Sequence, residues 1–259
     1  MSMFDIAGKN AVIVGGAGGI GQAIVQGLME EGVNVLISSR KEESLKRAVS
    51  ELKEVTGKEA KYYPCDASSE EAMQELLAAS VKEFGKVDFL VCALGLNKKF
   101  PTEEFPMDIF RAIYEANVFG VMNACKVFGP HMKENGYGKI VILSSVRDCV
   151  ATKTPGNAGY ASSKGAVKML IKQVASEYGQ YGITVNGIAP TVTETPMMTG
   201  IIEQRGGDAY RESLAKDLPM RRMAVPYDSV GAAVYLCTPA SDFVTGNVIY
   251  CDGGLTATR

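Results

Sequence analysis

Short apolar runs alternate along this chain with longer stretches in which apolar residues recur every three or four positions. The first run, Asn10 to Val14, feeds a cluster of glycines and then a helical pattern carried by Ile20, Ile24, Val25, Leu28 and Met29. A second run, Asn34 to Ser38, precedes a helix predicted over Glu42 to Val55. The third, Lys61 to Pro64, precedes a helix over Ser69 to Phe84 that Gly85 closes. Val87 to Val91, a long helical stretch from about Met107 to Lys133, and the strands Lys139 to Leu143 and Ile183 to Ala189 continue the alternation. Short strands separated by such helices predict an α/β fold, a doubly wound parallel sheet with helices on both faces.

Composition narrows the class. The 259 residues, 46% of them apolar, can bury one large core, so 1–259 is expected to form a single domain. Net charge is −2 and basic residues are interleaved with acids, which argues against a nucleic-acid partner and for a small molecule. Six cysteines without a CxxC pair, and a single histidine, His131, predict neither a metal site nor a disulfide framework and point to a reducing, cytoplasmic setting. The start of the chain shows no charged segment leading into an apolar one, so no secretory signal is read there. Ala11 to Met29 is uncharged over 19 residues, but its six glycines read as strand, turn and helix rather than as a membrane span.

Those glycines carry chemistry. Gly15-Gly16-Ala17-Gly18-Gly19-Ile20-Gly21 fits two templates, G-x-G-x-x-G through Gly16, Gly18 and Gly21, and G-x-x-x-G-x-G through Gly15, Gly19 and Gly21. Glycine lets the backbone approach a pyrophosphate, and the helix that follows offers unpaired N–H groups to the anion. About 20 residues further on, a dinucleotide-binding unit usually carries an acid for the ribose 2′-hydroxyl. Here the place is held by Ser39 and Arg40. A carboxylate would repel a 2′-phosphate, whereas a hydroxyl and a guanidinium would bind one. NADP is the expected cofactor, with Glu42 and Glu43 nearby leaving NAD open.

Tyr160 and Lys164 stand four residues apart and so share a helix face. A cation beside a phenol favours the phenolate, which is expected to bring Tyr160 below its ordinary pKa of about 10 and let it exchange a proton with an alcohol oxygen. A chain this rich in tyrosine and lysine holds about one such pair by chance, so the surroundings carry the weight. Parallel sheets hold ligands beyond the carboxyl ends of their strands, which brings in Cys92-Ala93-Leu94-Gly95, Ser144 with Ser145, and the loop after Ala189.

Gly15-xxx-Gly19-x-Gly21, Asp66, Asn117, Ser145, Tyr160-xxx-Lys164, Asn186 with Pro190, Thr195 and Asp252-Gly253-Gly254 together resemble the short-chain dehydrogenase/reductase family over essentially the whole chain. The resemblance implies a single-domain Rossmann fold of about seven strands and a catalytic tetrad of Asn117, Ser145, Tyr160 and Lys164. In that tetrad Tyr160 exchanges the proton, Lys164 keeps the phenol acidic and holds the nicotinamide ribose, Ser145 holds the substrate oxygen, and Asn117 anchors a water on the proton path. The cofactor residues it implies are Gly15, Gly19, Ile20, Gly21, Ser39, Arg40, Asp66, Tyr160, Lys164 and Thr195. It also implies a homo-oligomer, a dimer or tetramer, assembled through the helices around Asn117 and Tyr160. Glu104-Phe105-Pro106, Ser162 to Leu170 and Asp252 to Ala257 are most similar to gluconate 5-dehydrogenases and related sugar-acid dehydrogenases.

The chain also departs from the family pattern. Cys92-Ala93-Leu94-Gly95 stands where Asn-Asn-Ala-Gly is usual, removing amides from the central sheet and the cofactor wall, and Thr191 follows Pro190 where glycine is usual. Ser145 and Tyr160 are farther apart than in most members, so Arg147 to Ala158 is read as carrying a small insertion at the substrate mouth. Ser144 competes with Ser145 for the catalytic hydroxyl; the residues around Ser145 match the family phrase. Lys98, Lys99, Arg147 and Lys153 follow strands that end at the crevice, a charge pattern suited to a carboxylate, with Arg147 the leading substrate residue. The segment 192–222, with Met197, Met198 and Gly206-Gly207, falls where the family places a substrate lid. The expected reaction interconverts a secondary alcohol and a ketone on a polyol or sugar acid such as gluconate. A 3-oxoacyl thioester or general carbonyl reductase is the alternative, and a non-catalytic cofactor-binding regulator is a further one.

Overall fold

The computed structural model describes residues 2–153 and 155–258, with Met197 described by its backbone alone. Its strands are β1 (Asn10–Val14), β2 (Asn34–Ser39), β3 (Lys61–Pro64), β4 (Phe89–Cys92), β5 (Gly138–Leu143), β6 (Ile183–Pro190) and β7 (Val248–Cys251). They pair in parallel in the order β3-β2-β1-β4-β5-β6-β7. The order reverses between β1 and β4, and a crevice opens at such a point beyond the carboxyl ends of the strands.

Alternation along the strands loads both faces of the sheet. Val12 and Val14 of β1 join one apolar cluster with Leu76, Phe128 and Ile171, from α3 (Glu70–Phe84), α5 (Gly120–Glu134) and α6 (Ala158–Tyr178). Ala11 and Ile13 join the other with Ile24, Leu45 and Leu236, from α1 (Gly19–Glu30), α2 (Glu42–Thr56) and α9 (Val230–Cys237). All five β1 positions are therefore buried, as expected for a central parallel strand.

The long helix expected from Met107 to Lys133 is instead two helices, α4 (Met107–Tyr114) and α5, joined by a π turn over Glu115–Phe119. One extra residue in that turn carries the Gly120 N–H to the Glu115 carbonyl and leaves Asn117 fully buried, where it bonds to neighbouring segments. π turns of this kind recur at functional sites. The segment 192–222 holds two short helices, α7 (Pro196–Gln204), which the Thr195 hydroxyl caps, and α8 (Asp208–Lys216). The side chain of Met197, one of the apolar groups expected there, lies outside the described residues, as do Thr154 of the loop 147–158 and the end residues 1 and 259. The uncharged stretch Ala11 to Met29 divides into β1, the glycine turn and α1. No helix among the described residues is long and apolar enough to cross a membrane.

Candidate active site

Four segments converge at the carboxyl ends of β4 and β5: the loop after β4, the π turn, the turn after β5, and the first turns of α6. The Asn117 carboxamide accepts the Leu96 N–H at 2.6 Å and donates to the Leu96 carbonyl at 3.0 Å and to Ser163 Oγ at 2.9 Å. Lys164 is 1% exposed, and its ammonium donates to the main-chain carbonyls of Leu94 at 3.0 Å and Leu143 at 2.7 Å. Burial lowers the Lys164 pKa to about 8, with Asp148 and Cys92 acting in the opposite direction.

Tyr160 lies on the same face of α6, its ring centroid 5.8 Å from Lys164 Nζ. Burial is the largest influence on the phenol and raises its pKa. A hydrogen bond with the Ser145 hydroxyl and the nearby Arg147 guanidinium lower it, and Asp148 raises it. Burial thus holds the phenol above its ordinary value rather than below it, contrary to the expectation from spacing. Lys164 is committed to two carbonyls while it lies over the ring, and Arg147 brings a second cation from the turn after β5. That turn also separates the two serines: Ser145 reaches Tyr160 and accepts the Arg147 N–H at 3.2 Å, while Ser144 donates to Asp148 Oδ2 at 2.7 Å. Arg147 Nη1 bonds to the carbonyls of Val150 at 3.3 Å and Ala151 at 3.0 Å, which shapes the loop.

The altered phrase after β4 is filled, not hollow. Cys92 is wholly buried in the cluster with Val14 and Ile142, and Leu94 packs against it from the edge. A Cβ on Gly120 would lie only 2.9 Å from Leu94 Cδ1, so the larger residue uses space that a glycine at the start of α5 leaves. Apolar packing replaces the usual amides, and Asn117 and Lys164 hold the main chain of Leu94 and Leu96. Thr191, the other departure, gives its carbonyl to Thr193 Oγ1 at 3.0 Å.

A cleft of about 210 Å³ runs from the glycine turn past β2 and β3 to this loop, lined by Gly15, Ser39, Arg40, Asp66, Ala93 and Leu96 among others. Its geometry fits a dinucleotide. Gly15 has φ +89°, and a Cβ on Gly21 would fall 2.2 Å from the Gly15 carbonyl oxygen, so only glycines allow this turn to fold flat under a phosphate. Thr195 closes over Gly19, its Cγ2 being 3.4 Å from the position of a Cβ there. The first turn of α1, which carries Ile20, has no side-chain cap, so its N–H groups suit an anion. Asp66 accepts both the N–H and the hydroxyl of Ser68. A larger cavity of about 650 Å³ lies at the opposite, amino ends of β2 and β3 and holds none of the expected site residues.

The expected residues therefore form two adjoining groups. Asn117, Ser145, Tyr160 and Lys164 meet at the mouth, and Gly15, Ser39, Arg40 and Asp66 line the cleft beside them. Lys98, Lys99 and Lys153 are exposed on two loops that touch, since Asn97 Nδ2 reaches Asn157 Oδ1 at 3.4 Å and Gly156 packs on Lys99. Sequence reasoning missed Ser163, the partner of Asn117, and the group Asp148, Lys168 and Tyr250. The one available signal was register, because Lys168 follows Lys164 by one helical turn and Asp148 follows Ser144 by four residues.

Comparison with known proteins agrees with this geometry. A family model described as Enoyl-(Acyl carrier protein) reductase, one of the short-chain dehydrogenase/reductase models, matches residues 15–256. The chain is 34% identical over 251 residues to a glucose 1-dehydrogenase of Gluconobacter oxydans (strain 621H), covering 96% of this chain and 92% of that one. It is also 34% identical over 254 residues to a gluconate 5-dehydrogenase of the same organism, covering 98% and 97%. The crystal structure of a gluconate 5-dehydrogenase from Burkholderia cenocepacia J2315, in complex with NADP and tartrate, superposes with a TM-score of 0.90 at 32% identity, covering 98% of each chain. With the parallel seven-stranded sheet and the grouped Tyr160 and Lys164 already in place, these matches show that the chain belongs to the short-chain dehydrogenase/reductase family, oxidoreductases that act on CH–OH groups.

Proposed function

We propose that this oxidoreductase interconverts a secondary alcohol and a ketone on a polyol or sugar acid, with gluconate and a keto-gluconate as the leading pair and NADP as the preferred cofactor. The observation that carries the chemistry is Lys164 Nζ held over the Tyr160 ring, 5.8 Å from its centroid on one face of α6, beside a cleft lined by a glycine turn. When bound, the nicotinamide supplies the acceptor or donor of hydride. Tyr160 manages the proton: as phenolate it takes the hydroxyl proton of the alcohol, and as phenol it returns one to the ketone oxygen. Ser145 holds that oxygen, and Arg147 acts against the effect of burial on the phenol. Lys164 adds a cation beside the ring. Asn117 spends its carboxamide on Leu96 and Ser163, so its side chain acts by fixing the loop after β4.

Gly15, Gly19, Ile20, Gly21 and Thr195 would hold the cofactor pyrophosphate end, Asp66 the base, Ser39 and Arg40 the 2′-phosphate, and Tyr160 with Lys164 the nicotinamide ribose. NADP is supported by Arg40 in the cleft lining and by the NADP complex of the Burkholderia relative. The sugar-acid reading is supported by Arg147 near the phenol, by the lysines on the two touching loops and by relatives named for gluconate. Arg147 would receive the substrate carboxylate, and α7 with α8 would form the lid over it. Exposed Phe119 and Met122 near the start of α5 and Met169 on α6 suit a homo-oligomeric contact, a dimer or tetramer in the cytoplasm.

The test is a panel of gluconate, keto-gluconates and 3-oxoacyl thioesters, each with NADP(H) and NAD(H). Turnover of a sugar acid, at least about tenfold better with NADP(H), is expected. Turnover of the thioesters alone would move the substrate to the acyl class, and cofactor binding without any turnover would make the protein a regulator.

A further inference from the structure

Beside the Ser145 and Tyr160 contact lies a second polar cluster. Asp148 ends the turn Val146–Asp148 that Ser145 caps, and its N–H bonds to the Ser145 carbonyl at 2.9 Å. Its side chain is wholly removed from solvent. Oδ2 accepts the Ser144 hydroxyl at 2.7 Å, and Oδ1 accepts the Tyr250 hydroxyl at 2.7 Å. Lys168 Nζ lies 3.7 Å from Oδ1 and donates to the Tyr250 oxygen at 2.8 Å. One carboxylate thus joins the turn after β5 to α6 and to β7. A buried carboxylate is costly unless it is both paired and hydrogen-bonded, and this one is both.

We propose that Asp148 is a positioning residue for the Tyr160 and Lys164 pair: its carboxylate clamps the catalytic turn to α6 through Lys168 and to β7 through Tyr250, and contributes to the charge around Lys164. The proposal rests on the reading of Tyr160 as the proton-exchanging group. Charged and titratable neighbours are few. Arg147, Asp148 and Lys164 face Tyr160; Tyr160, Asp148 and Cys92 of β4 face Lys164; and Lys168, Tyr250 and, through Tyr250, Cys149 surround Asp148. Two neighbouring residues of opposite charge, Arg147 and Asp148, therefore act on the phenol in opposite directions, while Asp148 supports the ammonium of Lys164 against its burial.

The test titrates Lys164 in the cofactor-free protein by NMR of lysine labelled at Cε, its signal identified by its loss in Lys164→Met. Asp148→Asn is expected to move the midpoint down by about half a pH unit or more, because it removes a negative charge and keeps the shape. It should also move the acid limb of kcat/KM, for the fastest alcohol of the panel, to lower pH. Lys168→Gln removes the opposite charge and should move both upward. Tyr250→Phe breaks one arm of the clamp without changing charge and should move both by clearly less than Asp148→Asn does. An unchanged midpoint in Asp148→Asn, or an equal displacement in Tyr250→Phe, overturns the proposal. If Asp148→Asn does not fold, Lys168→Gln decides by the same measurement, and no upward displacement overturns it. Turnover that survives Tyr160→Phe would remove the catalytic reading instead, a result separate from the Lys164 titration.

Discussion

Asn117 grips Leu96 from both sides, taking its N–H at 2.6 Å and giving a hydrogen to its carbonyl at 3.0 Å. The two residues belong to the π turn and to the loop after β4, so one carboxamide sutures the helix to the cleft wall. Asn117→Ala would leave both Leu96 groups without their protein partner at the half-buried cleft wall, at an expected cost of about 1–3 kcal/mol. Urea denaturation monitored by circular dichroism reads that loss. Asn117→Asp, which retains the acceptor but loses both donations, should be no more stable than the alanine variant.

Tyr160→Phe removes the exchangeable proton and little else. The expected result is a fall in kcat of about 10²–10⁴-fold with an unchanged thermal midpoint. Steady-state assays beside differential scanning fluorimetry check this. A variant with more than a tenth of the parent rate would show that another group handles the proton.

Arg147 lowers the pKa of a phenol that burial raises. Arg147→Gln should therefore displace the acid limb of alcohol oxidation upward by about half a pH unit. Its KM for gluconate should also rise relative to an uncharged polyol, if the guanidinium meets the carboxylate. A pH series of kcat/KM on both substrates separates the two effects.

Lys164 changes stability with pH in a direction that can be worked out. Its pKa is about 8 in the folded protein against an ordinary 10.5, so the unfolded chain binds more protons between these values and stability rises with pH there. Below pH 8 the buried ammonium carries a cost on the order of 3 kcal/mol. The raised value of Tyr160 acts oppositely above its ordinary 10, because the native state then retains the extra proton. The cofactor-free protein should gain stability from about pH 8 to 10, and Lys164→Met should flatten that rise. Denaturant midpoints across this range test it.

Arg40 lines the cleft beside Ser39. Arg40→Ala should raise KM for NADP at least about tenfold and change KM for NAD by less than about threefold. Equal effects on the two cofactors would mean that the guanidinium does not meet a 2′-phosphate.

Much of the architecture was legible in residue order. The runs from Asn10 to Val14 and from Lys139 to Leu143 lie within a residue of the observed strands, and the helix expected from Ser69 to Phe84 begins one residue later, at Glu70, with Ser69 as its cap. The π turn was not legible, because the apolar recurrence between Met107 and Lys133 continues across it and an i+5 hydrogen bond has no local signature. Strand β7 is four residues long and half-buried, and its pattern offers too few positions to distinguish a strand from a loop.

The amino-acid sequence by itself determined the strand, glycine and helix unit, the alternation that builds a parallel sheet, and the shared face of Tyr160 and Lys164, because each follows from local conformation or short-range spacing. Only the tertiary structure decided that Ser145 rather than Ser144 turns to the phenol, that Ser145 and Arg147 act against its burial, and that Asp148 finds Tyr250 across 102 positions of chain. Those outcomes depend on which distant segments exclude water from one another, and the strength of a charge or hydrogen bond is set by that exclusion.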